Sequence, residues 1–486
     1  MKKIILLSTF FVVLFSCKRN VIEKEDKKFN VLFITIDDLR PQLGIYGDSL
    51  VKTPNIDKLA NNAIVFDRAY CQAPLCGPSR SSFLSGYYPQ TTGAYVINDH
   101  IRDAKPDVVT LPQLFKNNGY TSAGLYKVFH LVGFDPTLFG NRNDPESWSI
   151  PLWLPKKSVW GPLGDSIYQV NKQLCLRKGP IGYNNIPRSL AYEAPVIADS
   201  LLADGETAQQ ALHYLDDFKE KPFFMAVGFY NPHLPFVAPK KYWDLYNREE
   251  LVLPENQYAP KGVPVNLLPT SAELRSNVNI PNEGPFDEEL KKDLLHGYLA
   301  SISYIDAQIG LLIDRLDKLN LTGNTIVVIL GDHGYQIGEH NLWCKKHSNF
   351  EMATRVPLII STPEHFGNGR RTSKIVELVD LYPTLADLCS LEAPDDLDGH
   401  SLVPILNNFN AKDTGSSLSV YGKNGNQQSI RTDNYRINRR KLADSTFYEL
   451  YDRQIDPHEN NNVAYAKEYL SVRDSLTKIL EDYFKN

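Results

Sequence analysis

The chain has 486 residues, of which 42% are hydrophobic and 22% are charged, and its formal net charge at pH 7 is -5. This length and apolar content allow a large buried core, and a mildly acidic balance excludes the broad basic field that binds nucleic acid. We therefore expect no nucleic-acid partner. If the protein binds an anion, it needs a local basic pocket.

The N-terminal residues predict export. Met1-Lys2-Lys3 is basic, and residues 4–15 are apolar but too few to span a bilayer, which takes about 20 residues. Leu14-Phe15-Ser16-Cys17 resembles a bacterial lipobox, in which the cysteine carries lipid and becomes the mature N-terminus. We expect residues 1–28 to be signal peptide and tether. Lipid on Cys17 would then anchor the protein to a membrane, in the periplasm or at the outer-membrane surface of a Gram-negative bacterium. A plain signal peptide cleaved nearby is the alternative.

The cysteine count points to one residue with a special role. Six cysteines in a chain of this length do not make a disulfide framework. With Cys17 assigned to lipid, an odd number remains, which is unusual for an exported protein. Cys76 is the candidate for another role.

Apolar strands alternate with amphipathic helices after the tether. Residues 31–36 and 325–330 are continuous apolar, β-branched runs, typical of buried strands in a parallel sheet. The other elements predicted along the chain are a helix behind a Thr53 cap, helices at 76–86, 206–218, 287–319 and 377–388, and strands at 222–229 and 356–361. This alternation predicts an α/β fold, with a large, mostly parallel sheet sandwiched by helices.

Three further segments differ from this alternation. Residues 140–200 and 240–285 have no clear period and read as ordered insertions of the kind that shape a pocket. Beyond residue 405 the pattern changes to short strands and a final helix. We expect a main domain of residues 29–405 and a smaller α+β subdomain of residues 406–486. The elements predicted in that subdomain are antiparallel strands at 418–421, 428–431 and 435–437 and a helix at 466–484.

Two acidic clusters follow the two buried strands. Asp37 and Asp38 are adjacent carboxylates, which repel each other unless a cation lies between them, and their hard oxygens suit Ca²⁺ or Mg²⁺. Asp332-His333 stands at the same position after the second strand, between glycines that permit close approach of other groups. Because ligands gather at the carboxyl ends of parallel strands, these pairs predict one metal site at one edge of the sheet. A polar turn or a helix cap is the alternative.

The stretch Cys76-Gly77-Pro78-Ser79-Arg80 predicts an anion site. It opens a probable helix, where free N–H groups and the helix dipole favour an anion, and Arg80 adds a charge with bidentate geometry. An unmodified Cys76 could act as a nucleophile, as in cysteine phosphatases. Those enzymes use a glycine-rich phosphate loop, which this segment lacks.

The same stretch resembles Cys-x-Pro-Ser-Arg, the signature of the type I sulfatases. The resemblance extends in order along the chain, through Ile36-Asp37-Asp38, Thr53-Pro54-Asn55-Ile56-Asp57, Gly331-Asp332-His333-Gly334 and Glu449-Leu450-Tyr451-Asp452. It implies an alkaline-phosphatase-like fold, with residues 29–405 as the catalytic domain of a sulfuric ester hydrolase. It also implies that a formylglycine-generating maturase oxidises Cys76 to formylglycine (3-oxoalanine).

Within the sulfatases the chain most resembles the iduronate-2-sulfatase branch. The segments that carry this likeness are Tyr126-Lys127-Val128-Phe129-His130, Asn231-Pro232-His233-Leu234-Pro235-Phe236, Gly338-Glu339-His340-Asn341-Leu342-Trp343 and Ser348-Asn349-Phe350-Glu351. One departure is that Cys344-Lys345-Lys346-His347 is one residue longer than the usual pattern of the branch. Counting back from Ser348 gives Lys346 the role of the active-site lysine, with Lys345 as the alternative.

The resemblance also implies roles for single residues. One Ca²⁺ would be bound by Asp37, Asp38, formylglycine at position 76, Asp332 and His333. The metal and Arg80 would hold the sulfate oxygens while a hydroxyl of the hydrated formylglycine attacks sulfur. Proton transfer and sulfate contacts would fall to Lys127, His130, His233 and Lys346, with His130 deprotonating the hemiacetal and His233 or Lys346 protonating the leaving oxygen.

The substrate implied by the branch is a uronate-containing sulfated polysaccharide or oligosaccharide, either a glycosaminoglycan or algal ulvan. Two alternatives remain. One is a phosphoric monoester, diester or phosphonate hydrolase of the same superfamily, for which two zinc ions with extra ligands would be expected. The other is a glycan-binding lipoprotein that has lost catalysis, which turnover measurements would separate.

Overall fold

A computed structural model of the protein describes residues 28–130, 143–174, 187–363, 369–412 and 415–484. The predicted signal peptide, nearly all of the predicted tether and Cys17, the predicted lipid site, lie outside these ranges, as does Cys175. Cys71, Cys76, Cys344 and Cys389 are buried free thiols. In the ranges described, every helix is too short or too polar to cross a membrane.

A seven-stranded sheet forms the centre of the main domain, in the order β11-β2-β10-β7-β1-β5-β3. The strands along the chain are β1 Asn30–Ile36, β2 Ile64–Tyr70, β3 Thr121–Tyr126, β4 Tyr192–Glu193, β5 Phe223–Phe229, β6 Phe236–Val237, β7 Thr325–Gly331, β8 Gln336–Ile337, β9 Trp343–Lys345, β10 Arg355–Ser361, β11 Arg370–Glu377, β12 Ser416–Tyr421, β13 Gln427–Thr432, β14 Tyr435–Lys441 and β15 Thr446–Asp452. Strand β10 runs antiparallel to β7 and β2, and the pairs β7–β1, β1–β5, β5–β3 and β2–β11 are parallel. The predicted mostly parallel sheet is confirmed.

Helices cover both faces of this sheet. The helices of seven residues or more are α1 Pro54–Ala60, α2 Cys76–Ser85, α3 Leu111–Asn117, α4 Pro162–Gln173, α5 Ala203–Phe218, α6 Glu288–Lys318, α7 Leu381–Leu388 and α8 Leu470–Tyr483. Shorter helical turns include Ala272–Arg275. The Asp287 carboxylate caps α6 by accepting the N–H of Leu290 at 2.8 Å. Thr53 precedes α1 as predicted, but its hydroxyl accepts the N–H of Gly44 instead of capping the helix.

Successive side chains of β1 point to opposite faces of the sheet, which explains why the whole strand is apolar. Leu32, Ile34 and Ile36 enter one apolar cluster, which α5 and α6 complete, whereas Val31 and Phe33 enter a second cluster on the opposite face. Both faces are therefore buried, and a strand buried on both faces needs a continuous apolar run.

The predicted helix at 377–388 is partly wrong. Glu377 is the last residue of β11, a 3-10 turn covers Leu378–Asp380, and α7 begins at Leu381. The apolar residues of β11, Ile375 and Val376, are adjacent and stand near its end, so the sequence carried a weak signal for this strand.

The C-terminal subdomain contains an antiparallel sheet in the order β12-β13-β14-β15, covered by α8. Leu476 and Leu480 of α8 pack on Ile430, Ile437 and Leu450. The predicted small sheet and final helix are confirmed, with β15 as a strand that had not been predicted. The boundary between residues 405 and 406 stays a prediction.

Glu377 links the main sheet to the C-terminal sheet. Its buried carboxylate accepts hydrogen bonds from the Tyr88 hydroxyl at 2.6 Å, from Gln72 at 3.2 Å and from the backbone N–H of Leu418 at 2.7 Å. Burial, reinforced by the nearby Asp380, raises the pKa of Glu377 to about 8.

This raised pKa predicts that the stability of the protein depends on pH. Between about pH 4.5 and 8 the unfolded chain releases the Glu377 proton while the folded chain keeps it, so the contribution of Glu377 to stability falls as pH rises. We expect Glu377→Gln to gain at least about 1.4 kcal/mol over wild type between these limits, the equivalent of one pKa unit. Urea unfolding at pH 5 and pH 8 measures it.

The exposed Glu220→Gln variant is the control, and its difference from wild type should not change with pH. A Glu377→Gln difference that is the same at both pH values would contradict the shifted pKa.

Candidate active site at the carboxyl edge of the sheet

Four neighbouring parallel strands deliver side chains to one edge of the sheet. The pairing of Ile36 with Gly331 places the residues after β1 and those after β7 at the same level. The segment after β3 carries Lys127 and His130, and the segment after β5 carries His233. The predicted site residues at this edge are Asp37, Asp38, Lys127, His130, His233, Asp332 and His333, and the N-terminal end of α2 adds Cys76 and Arg80.

Glycines permit close packing around the site. A Cβ at Gly331 would collide with the carbonyl oxygen of Leu39, and a Cβ at Gly334 would collide with that of Met352. A Cβ at Gly228 in β5 would overlap the backbone of Lys127. The close approach predicted at Gly331 and Gly334 is therefore confirmed.

Cys76 lies among groups that bind metals. Its Sγ is 3.4 Å from Asp37 Oδ1 and 3.1 Å from His333 Nε2. The ligand atoms of Asp37, Cys76, Asp332 and His333 all lie within 4.8 Å of one another, and all four residues are buried.

Asp38 belongs to an overlapping group. It forms a second possible metal cluster with Asp37 and His233. Its Oδ1 is 3.3 Å from His333 Nδ1, and its backbone N–H donates to Asp332 Oδ1 at 3.2 Å. Asp37 and Asp332 therefore connect Asp38 to the ligand group around Cys76.

Three cations face the three carboxylates. Arg80 Nε donates to Asp332 Oδ2 at 2.9 Å, and Lys127 Nζ contacts Asp37 Oδ2. Lys346 Nζ lies 3.0 Å from both carboxylate oxygens of Asp38.

Arg80 also fixes the backbone after β3. Its Nη1 donates to the carbonyl oxygens of Lys127 and Val128, the latter at 3.0 Å, and lies 3.3 Å from the Thr35 hydroxyl in β1. A fully buried guanidinium thus joins the segments that carry Asp332, Lys127 and Asp37.

Burial and neighbouring charges set the acidities of this cluster. Burial alone would raise the pKa of Asp37, but Lys127, His233 and Arg80 together hold it well below the ordinary value. Burial raises the pKa of Asp38 well above its ordinary value, despite the opposing charge of Lys346. Burial and Asp37 likewise raise the pKa of the Cys76 thiol.

The two predicted catalytic histidines differ in their partners. Burial and Lys127 lower the pKa of His130 well below its ordinary value, and neither ring nitrogen has a hydrogen-bond partner among the described residues. In His233, Nδ1 lies 2.7 Å from the carbonyl oxygen of Leu234, which assigns the proton to Nδ1 and leaves Nε2 as an acceptor. Burial, with Lys346, lowers the pKa of His233 to about 3.

A β-bulge accounts for the lysine pair. Gln336 of β8 pairs with Lys345 and Ile337 pairs with Trp343, so the pairing passes over Cys344, whose φ is 51°. The bulge accommodates one extra residue, Cys344, directly before the two lysines. It leaves Lys346 against Asp38, in the position that counting back from Ser348 predicts, while burial lowers the pKa of Lys345 to about 8.

The sequence analysis missed Glu273. This buried carboxylate lies 3.5 Å from His233 Nε2, which is 3.8 Å from Asp38 Oδ2. Glu273 sits in the short helix Ala272–Arg275, within the predicted insertion 240–285. Thr270-Ser271-Ala272-Glu273 matches an ordinary capping-box pattern, so the local sequence indicated a helix start and gave no sign of a buried charge.

Comparisons with known proteins agree with this geometry. Residues 29–391 match the family model "Sulfatase", and residues 338–486 match "N-sulphoglucosamine sulphohydrolase, C-terminal". The human protein "Iduronate 2-sulfatase" is 36% identical over 400 residues, which cover 75% of this chain and 70% of the relative.

Two solved structures share the fold. A protein solved in complex with its substrate D-glucosamine-2-N,6-O-disulfate has a TM-score of 0.73 at 23% identity, covering 94% of this chain and 98% of its own. A phosphonate monoester hydrolase of Agrobacterium radiobacter also has a TM-score of 0.73, at 22% identity, covering 94% of this chain and 95% of its own.

The sheet and its edge, with carboxylates, an imidazole and an arginine around one cysteine, define a hydrolase of the alkaline-phosphatase-like fold. Within this class, two findings identify the family. They are the family match over most of the chain and the likeness to iduronate 2-sulfatase. The chain belongs to the sulfatase family, in its iduronate-2-sulfatase-like branch, and it is a sulfuric ester hydrolase.

The contacts of Arg80 predict a strong effect of a conservative substitution. Arg80→Lys keeps the charge but loses the planar group that holds Asp332 and the Lys127–Val128 carbonyls together. We expect kcat for sulfate release to fall about 10²- to 10³-fold, as when one preorganised donor is removed from an active site.

Arg371→Lys is the matched control, because Arg371 makes a partly exposed ion pair with Asp67 on the surface. Its kcat should stay within about twofold of wild type. Thermal unfolding of both variants distinguishes lost chemistry from lost folding. A folded Arg80→Lys enzyme with the kcat of wild type would refute the prediction.

Proposed function

We propose that this protein hydrolyses sulfate esters of uronate-containing sulfated polysaccharides or their oligosaccharides, using one Ca²⁺ and a formylglycine made from Cys76. The observation that carries this proposal is the contact of Cys76 with Asp37 and His333 inside the buried cluster of metal-binding groups. The iduronate 2-sulfatase relative supports a sulfated uronate, within either a glycosaminoglycan or ulvan.

The residues fit a hard divalent cation. Asp37, Asp38 and Asp332 offer buried carboxylate oxygens, which Ca²⁺ prefers, and His333 and residue 76 complete the set. These carboxylates are already matched by Arg80, Lys127 and Lys346, so a divalent ion would leave the site positive and suited to an anionic ester. When bound, the ion would supply charge stabilisation to the sulfate oxygens.

Residue 76 would carry the two reacting groups of the proposed oxidation product. As a hydrated formylglycine it would offer two hydroxyl groups on one carbon, one to attack sulfur and one to expel sulfate afterwards. A cysteine or serine offers a single nucleophilic atom and lacks the second group. Ser79, whose hydroxyl donates to the Asp332 carbonyl oxygen, and Arg80 then hold the first turn of α2 against β7.

Different side chains of the site would accept and donate the protons of the reaction. His130 is suited to take a proton, because both ring nitrogens lack a partner among the described residues. Lys346 carries N–H donors beside Asp38, whereas neutral His233 presents a lone pair at Nε2. This geometry favours Lys346 over His233 as the group that protonates the leaving sugar oxygen.

The alternatives receive less support from the site. The phosphonate hydrolase of the same fold shows that phosphorus esters fit this architecture. However, the candidate metal clusters of the described residues share Asp37 and make one centre, which fits one cation better than two. An inactive binding protein would not need Cys76, the carboxylates and Arg80 together.

The test is sulfate release from heparan- and dermatan-type disaccharides, ulvan oligosaccharides and an aryl sulfate. The protein is produced together with a formylglycine-generating enzyme, and peptide mass spectrometry confirms the aldehyde. We expect release from a uronate-containing class, because the site combines a positive pocket with the predicted nucleophile. Cleavage of phosphonate or phosphate esters without any sulfate release would overturn the proposal.

Three controls separate the parts of the proposal. Cys76→Ala should abolish release while leaving the fold intact. Removal of calcium with a chelator should abolish release and lower the unfolding temperature, since a bound ion stabilises only the folded state. Asp332→Asn should weaken the calcium-dependent rise in unfolding temperature, and an unchanged rise would exclude Asp332 as a ligand.

We also propose that the protein is exported and anchored by lipid on Cys17, in the periplasm or at the outer-membrane surface. The lipobox-like Leu14-Phe15-Ser16-Cys17 supports this. In a Gram-negative host, wild-type protein should incorporate labelled fatty acid and sediment with membranes, whereas Cys17→Ser should do neither. Soluble, unlabelled wild-type protein would instead indicate a plain signal peptide.

A further inference from the structure

Lys345 is a buried cation without a direct partner. The residue is 4% exposed, and among the described residues its Nζ forms no hydrogen bond and no ion pair within 4 Å, so only longer-range charges act on it. Its neighbour Lys346, 3% exposed, is paired with both oxygens of Asp38 at 3.0 Å. Its Nζ is absent from the fully buried unpaired atoms of the described residues and so keeps some contact with solvent. Partial burial without a partner costs an ammonium part of its hydration, so the group is suited to an anion that arrives from outside.

The carboxylates near Lys345 leave its positive charge without a partner of its own. The charges that act on it come from Glu273, Lys346 and Asp38. Asp38 is occupied by Lys346, and the charges of Lys346 and Arg188 also act on Glu273. The carboxylates on this side of the site are therefore shared among several cations.

The position of Lys345 is beside the reacting centre. The turn Ala272–Arg275, which carries Glu273, packs on β9. Glu273 lies 3.5 Å from His233 Nε2, and His233 Nε2 lies 3.8 Å from Asp38 Oδ2. These contacts connect β9 with the metal-binding residues. Lys345 thus lies on the side of the site formed by the insertion 240–285.

The β-bulge at Cys344 determines the positions of Lys345 and Lys346. By resemblance, the branch has one fewer residue between Trp343 and Ser348, and Lys346 supplies its active-site lysine. Lys345 is then an additional charge of this chain, held in β9 by its pairing with Gln336. Bulges commonly redirect a side chain next to an active site.

We propose that Lys345 binds a second anionic group of the substrate, a carboxylate or a further sulfate on the sugar whose sulfate ester is cleaved or on the adjoining sugar. This inference rests on the proposed function and specifies its substrate class as sugars that carry two anionic groups close together. Lys346 and Lys345 then act on different parts of the same ligand, the reacting ester and the second anion.

The test compares Lys345→Met and Lys345→Arg with wild type on three substrates. These are a 2-sulfated hexuronate, the same sugar with its carboxylate reduced to an alcohol, and a disulfated hexosamine. Because Lys345→Met removes one charge-assisted contact, it should raise KM for the substrate that carries the matching anion about tenfold or more. The kcat should change less, and Lys345→Arg should retain most of the affinity.

The test is decided by how Lys345→Met changes the ratio of kcat/KM between the substrates. A selectivity for the hexuronate over its reduced form that is lost in Lys345→Met identifies the second anion as a carboxylate. A loss confined to the disulfated sugar identifies it as a sulfate. An equal loss on all three substrates would overturn the proposal and make Lys345 a structural counter-charge to Glu273. Lys318→Met, an exposed lysine at the end of α6, is the control.

A binding measurement separates this inference from the proposed function. The affinity of the desulfated hexuronate, measured by calorimetry with Cys76→Ala protein, requires no turnover. It should fall when Lys345→Met is added, and unchanged affinity contradicts the role of Lys345 for a carboxylate. Failure of wild type to release sulfate from every substrate would instead overturn the sulfatase proposal for these sugars.

Discussion

The structure depends on the burial of three carboxylates in one place. Asp37, Asp38 and Asp332 are fully buried at the ends of two adjacent strands, where their mutual repulsion is not screened by water. They can lie there only because cations from elsewhere in the chain converge on them. Much of the main domain can be understood as the means of holding those cations in position.

Arg80 shows how this is achieved. It starts in α2, contacts Asp332 after β7, and binds carbonyl oxygens after β3, so one side chain connects three segments that are far apart in the sequence. Close packing at Gly228, Gly331 and Gly334 then removes the space in which these segments could separate. Preorganised charge of this kind is what lowers the barrier when charge develops in a transition state.

Much of this site could be predicted from sequence because its residues follow strong local patterns. Asp37, Asp38, Asp332 and His333 come directly after continuous apolar strands, and Cys76 and Arg80 open a helix. Strands β2, β3 and β11 were missed because their polar and apolar residues do not form a continuous run. Glu273 and the bulge at Cys344 were missed because they depend on contacts between distant segments, and local sequence does not encode such contacts.

The depth of Cys76 has a consequence for the biogenesis of the enzyme. At 1% exposure, its sulfur is out of reach of another protein once α2 has packed against β7. The proposed oxidation of Cys76 by a maturase would therefore have to happen while the chain is still unfolded, and the yield of oxidised protein would be set by a race between modification and folding. On this proposal, a chain that folded first would keep an unmodified Cys76, and only unfolding would return the cysteine to the maturase.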